Sequence, residues 1–145
     1  MTTDDLRVAA RLTVLFSTLY GVTFLNILVN KKRHYYRAKA KKETFDRYNS
    51  VEMLAADRLQ ANFLEWSPTF LGLLWSLAAT GNLVNNSSRQ AAWMYLGLRL
   101  LYVILVLRHG VQTTGTQTHL WISTFPGYGC LLVMSYHAYR ELFFT

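Results

Sequence analysis

Residues 57–68 read DRLQANFLEWSP and continue to residue 80 as TFLGLLWSLAAT. A membrane span needs about 20 mostly apolar residues, and this stretch has the length for one. Yet its first turns hold Arg58, Gln60, Asn62 and Glu65. On a helix advancing about 100° per residue, Arg58, Asn62 and Glu65 fall within about 60° of one another. They form one polar stripe, and Gln60 points to roughly the opposite side. A charged side chain at a span centre costs about 2.5–3.5 kcal/mol, so such groups turn to a bundle interior and take partners. Pro68 removes the amide that would bond the Leu64 carbonyl, which predicts a kink beside the stripe.

Three further apolar runs accompany this one. The spans expected are 8–29, 53–79, 90–107 and 126–144, with Pro126 in the first turn of the last. The first is too long for a signal-peptide core and is expected to be retained. Period-2 alternation is absent, which argues against a barrel. The fold class is therefore all-α, an integral membrane four-helix bundle in a single domain over residues 1–145. The short link GNLVNNSSR makes the second and third helices antiparallel neighbours.

Charge is unevenly spread. Eight of the fifteen Lys and Arg lie within residues 31–47, so the net charge of +7 is concentrated in one hydrophilic segment between apolar runs. That is the pattern of a cytoplasmic membrane loop and not of a nucleic-acid-binding face. Only Arg89 falls in the second link and Arg108 marks the third, so the basic first loop is expected in the cytoplasm with both termini opposite. Asn85 and Asn86 each open a glycosylation sequon on the far side. Cys130 is the single cysteine and no Cys/His spacing suggests a metal site.

The third run carries a second stripe: Tyr95, Arg99, Tyr102 and Val106. Arg99 sits mid-span and needs an anion or several acceptors. Glu65 is the carboxylate deepest in any span, so a polar cluster of Glu65 with Arg99 or Arg58 is expected to lock the two helices together.

The pattern from Arg58 through Asn62 and Glu65 to Pro68 resembles the helix-two signature of the MAPEG family, the membrane-associated proteins in eicosanoid and glutathione metabolism. Arg99 followed by Tyr102 is similar to the family's helix-three pattern. The resemblance implies a homotrimer of four-helix bundles in the endoplasmic reticulum or another organelle membrane, with glutathione held between subunits. It implies glutathione contacts from Arg58, Gln60, Asn62, Glu65, Trp66 (where the family often has Tyr) and Tyr102. Lys31 and Lys32, with Arg33, are the implied cations for the tripeptide's carboxylates. A lipophilic electrophile or hydroperoxide is the implied second substrate.

The sequence departs from the catalytic members in the third helix. Their second tyrosine, four residues after the first in a Gly-Tyr pair, is replaced by Leu105-Val106, and Thr113 stands where an activating arginine is expected. Arg108 matches another family arginine and is the candidate catalytic residue. Two readings follow: a glutathione transferase or peroxidase of lipid metabolism, or a non-catalytic lipid-binding or structural subunit of a larger membrane complex. Transport is disfavoured, because the polar groups gather at one end and no inverted repeat is visible.

Overall fold

The computed structural model describes residues 2–46, 48, 50–83, 86–109 and 118–144. Its regular structure is four helices: α1 (Thr3–Lys41), α2 (Val51–Ala79), α3 (Asn86–His109) and α4 (Thr118–Phe144). The expected all-α class is what forms. Asn85, the side chain of Asn86, and Thr113 lie outside the described residues.

α1 opens on a capping box. Thr2 Oγ1 accepts from the Asp5 amide at 3.2 Å, and the Thr2 amide donates to Asp5 Oδ2 at 3.1 Å. Asp4 and Asp5 also place negative charge against the helix N-terminus. The helix then runs for 39 residues, about 58 Å at 1.5 Å per residue. Most of what reads as a hydrophilic loop is thus a continuation of the first helix. The Ala, Lys and Arg of RAKAK are strong helix formers, and nothing before Lys42 interrupts the pattern. Lys42 ends it at φ 59°, and the Lys42 and Glu43 amides return to the Lys39 and Ala38 carbonyls at 3.2 and 2.9 Å.

α2 starts at Ser50, whose Oγ accepts from the Met53 amide at 3.3 Å and lies 3.1 Å from His34 Nε2 on α1. Pro68 sits inside α2 and does not break it. The preceding Ser67 hydroxyl donates to the Phe63 carbonyl, one residue before the Leu64 carbonyl that Pro68 leaves without its amide. Pro126 is likewise inside its helix and not in the first turn, because α4 begins eight residues earlier than expected, at Thr118. Ser123 and Thr124 both donate to the Leu120 carbonyl, at 3.0 and 2.9 Å. They serve the interior of the helix and do not cap its start.

α1 packs chiefly on α2 and α3 on α4, with α2–α4 joining the pairs. Among the described residues α2 and α3 meet least of all touching pairs, and α1 makes no contact with α4. The short link therefore joins helices that stand across the interior from each other, not side by side as expected. Their contact is made by a few large or polar side chains reaching through the centre. Phe70 of α2 lies against Phe16 of α1 (ring centroids 5.1 Å) and stacks on Tyr95 of α3 (4.5 Å, 24°), tying three helices.

α1 and the Ser87–His109 part of α3 are long and apolar enough to cross a membrane. Only 22% of the most apolar stretch of α1 is buried inside the bundle, so its outer face needs a nonpolar environment. In α2 the apolar run is interrupted by Asn62, Glu65 and Pro68. In α4 the His, Trp and Tyr residues do the same, although Ile122 and Leu132 still face outward.

Candidate functional site

The polar stripe of α2 lies where α2 confronts α3. Asn62 is half-buried, and its Oδ1 accepts from Arg99 Nη1. Arg99 is 4% exposed, and its guanidinium carbon stands 4.8 Å from the centre of the Tyr95 ring. The charge is thus held by one amide oxygen and one aromatic face. Its other terminal nitrogen, Nη2, is buried and makes no hydrogen bond.

Arg58 and Glu65 are exposed on the surface of the bundle. Among the described residues no ion pair joins Glu65 to Arg58 or to Arg99. The lock between α2 and α3 is the Asn62–Arg99 bond. The expected Glu65–Arg99 cluster does not form as a contact, because Glu65 lies about a turn beyond Asn62 and on the outer edge of the stripe.

Gln60 points away from the stripe, as its angular position requires. Its Nε2 donates to the Tyr20 hydroxyl of α1 at 3.1 Å. Trp66 is half-buried against Tyr128 of α4, with centroids 4.7 Å apart. Tyr102 is buried at 7% exposure. The ionisable groups acting electrostatically on its phenol are Arg99, Arg58, Tyr128 and Glu65, so residues from α2, α3 and α4 share one neighbourhood.

Three expected residues lie elsewhere. Arg108 is exposed in the last turn of α3. Lys31 and Lys32 line a separate hollow with Leu28, Tyr35, Tyr36 and Phe45, none of which belongs to α2. Val106 is buried in the apolar core, where the expected second phenol would have stood.

Tyr20 and Tyr128 join these residues without belonging to either polar stripe. Tyr20 carries a usable signal, being the one phenol within residues 8–29. Tyr128 carries none, since only packing brings α4 against Trp66.

Chemically, the site offers a guanidinium and a carboxylate on an outer face, an amide between them, and a phenol just inside. Arg58 suits a carboxylate, Glu65 an ammonium group. Asn62 keeps its amide nitrogen as a donor while its oxygen holds Arg99. No curated protein and no solved structure matches the chain. Residues 8–139, nearly the whole chain, match the model of the MAPEG family, and the chain belongs to that family of membrane proteins.

Proposed function

We propose that the protein is a four-span membrane enzyme that binds glutathione on the α2 stripe and transfers it to lipophilic electrophiles, or uses it to reduce lipid hydroperoxides. The observation that carries this reading is the exposure of Arg58 and Glu65 on a helix of a membrane bundle. Ionised groups there require polar partners. A zwitterionic tripeptide between two copies of the chain supplies them: a carboxylate for Arg58, an ammonium for Glu65. The family's trimer brings such a second wall, and the basic end of α1 faces the cytoplasm, where glutathione is abundant.

In conjugation, the ionised thiol sulfur bonds the electrophilic carbon, the leaving group departs with its electron pair, and the thiol proton passes to water. A guanidinium near the sulfur favours the thiolate. Arg108, at the end of α3, is the residue of this chain assigned that task.

A second reading is favoured by Val106. A buried valine where catalytic relatives carry a phenol suits a chain that has kept the bundle and given up the chemistry, as a lipid-binding or structural subunit. Purified protein separates the two readings. The enzyme shows stabilisation by glutathione and turnover with 1-chloro-2,4-dinitrobenzene or a fatty-acid hydroperoxide. A folded preparation that does neither, and co-purifies with a partner, supports the second.

A further inference from the structure

A side-chain amide has a donor end and an acceptor end of nearly equal size, and its terminal torsion is soft. An unconstrained asparagine can therefore present either end to a ligand. Asn62 has no such freedom. Its partner on α3 is a guanidinium, which carries donors only and cannot be deprotonated in a protein. The amide must turn its oxygen toward Arg99 Nη1, and that is the bond the structure forms. Turned over, it would set its own N–H groups against those of a buried cation. The pair on the other side of α2 is different. The Tyr20 hydroxyl facing Gln60 both donates and accepts, so that contact leaves the amide reversible.

The guanidinium is itself held from behind. Arg99 is 4% exposed and lies over the Tyr95 ring, 4.8 Å from its centre. Tyr95 stacks on Phe70, and Phe70 lies against Phe16 of α1. All three rings are buried. A Cβ placed on Gly127 would stand 3.9 Å from the Tyr95 ring, so α4 also backs it. Side chains of three other helices thus fix the direction from which Asn62 is gripped.

What remains is the Asn62 amide nitrogen. It makes no hydrogen bond among the described residues, and it is not one of the buried unpartnered atoms. It stands on the stripe between Arg58, four residues before, and Glu65, three residues after. We infer that Arg99 is a positioning residue for glutathione. By holding the Asn62 oxygen inside the bundle, it commits the Asn62 nitrogen to donate outward, to an acceptor oxygen of the tripeptide. Along α2 the stripe then reads cationic donor, neutral donor, anionic acceptor. A ligand offering an N–H at the middle place meets a second donor and is refused. The inference rests on the glutathione reading above, and Arg99 acts in it only through Asn62.

The test titrates the full chain, in nanodiscs, with glutathione by calorimetry. Arg99→Gln keeps a side chain that reaches Asn62 but both donates and accepts, which frees the amide to turn over. Glutathione affinity falls about five- to tenfold. Arg99→Lys is donor-only, like the wild type, and recovers most of the affinity. Asn62→Asp still pairs with Arg99, so its thermal midpoint does not fall, but its outward atom is now an acceptor. It weakens glutathione about tenfold or more. Helical circular dichroism checks each variant, and Asn62→Asp decides alone if Arg99→Gln does not fold. Equal losses in Arg99→Lys and Arg99→Gln make the residue a packing element and overturn the inference. Wild-type affinity in Asn62→Asp overturns it too, because no outward donor is then needed. A folded wild type that binds no glutathione defeats the glutathione reading itself, and the inference with it.

Discussion

Arg99 of α3 donates a hydrogen bond to the side-chain oxygen of Asn62 on α2, across the interior of the bundle. This contact couples the α2 stripe, which we propose binds glutathione, to the helix that carries Tyr102. It also holds a guanidinium that is 4% exposed and has no carboxylate partner among the described residues.

Replacing Asn62 by Leu leaves that buried charge without its acceptor. A lost partner of a buried charged group costs about 2–3 kcal/mol, so Asn62→Leu lowers the thermal midpoint of detergent-solubilised protein markedly. Asn62→Leu combined with Arg99→Met recovers most of the loss, because an apolar pair of similar volume needs no partner. A double variant no more stable than Asn62→Leu alone refutes this account of the contact.

Arg58→Ala and Glu65→Gln leave stability nearly unchanged, since neither side chain is buried in the bundle. Each weakens glutathione binding about tenfold or more, given about 1.5–3 kcal/mol for a hydrogen bond to a charged group. Isothermal titration reads the affinity and thermal unfolding reads the control. Wild-type affinity in both variants excludes the stripe as the site.

Tyr20→Phe removes the acceptor of Gln60 and keeps the ring. Hydrogen bonds between membrane helices average about 0.6 kcal/mol, so the expected loss is small. Phe70→Ala supplies the contrast. It deletes a fully buried ring stacked between Phe16 and Tyr95, at a cost of about 3–5 kcal/mol. Unfolding in mixed micelles ranks the two, and the reverse order contradicts the packing described.

Arg108→Ala lowers the rate of glutathione conjugation and leaves glutathione affinity intact if this arginine stabilises the thiolate. The useful readout is the thiolate absorbance of the bound tripeptide as pH is raised. Its midpoint moves upward when the cation is removed. An unmoved midpoint assigns the arginine no part in activating the thiol.

How much of this was legible beforehand differs by residue. The stripe Arg58–Asn62–Glu65, and the opposed direction of Gln60, follow from helical periodicity alone, and the structure gives Gln60 its separate partner on α1. Helix number and class follow from four apolar runs. The full length of α1 is not legible, because a hydrophilic composition suggests a loop while Ala, Lys and Arg also extend a helix readily once it leaves the bilayer. The start of α4 at Thr118 is not legible, because Pro126 suits a first turn equally well and only neighbouring helices decide whether an interior proline is tolerated.

By itself, then, the sequence determined which residues lie on which face of each helix, since that depends on a fixed angle per residue. It also determined that the charge gathers at one end of α1. The tertiary structure decided which faces meet. It gave Arg99 to Asn62 instead of Glu65, set α2 across from α3 despite their short link, and brought Tyr128 against Trp66. Those outcomes depend on how four helices fill a common interior, and packing of that kind is a property of all the side chains at once.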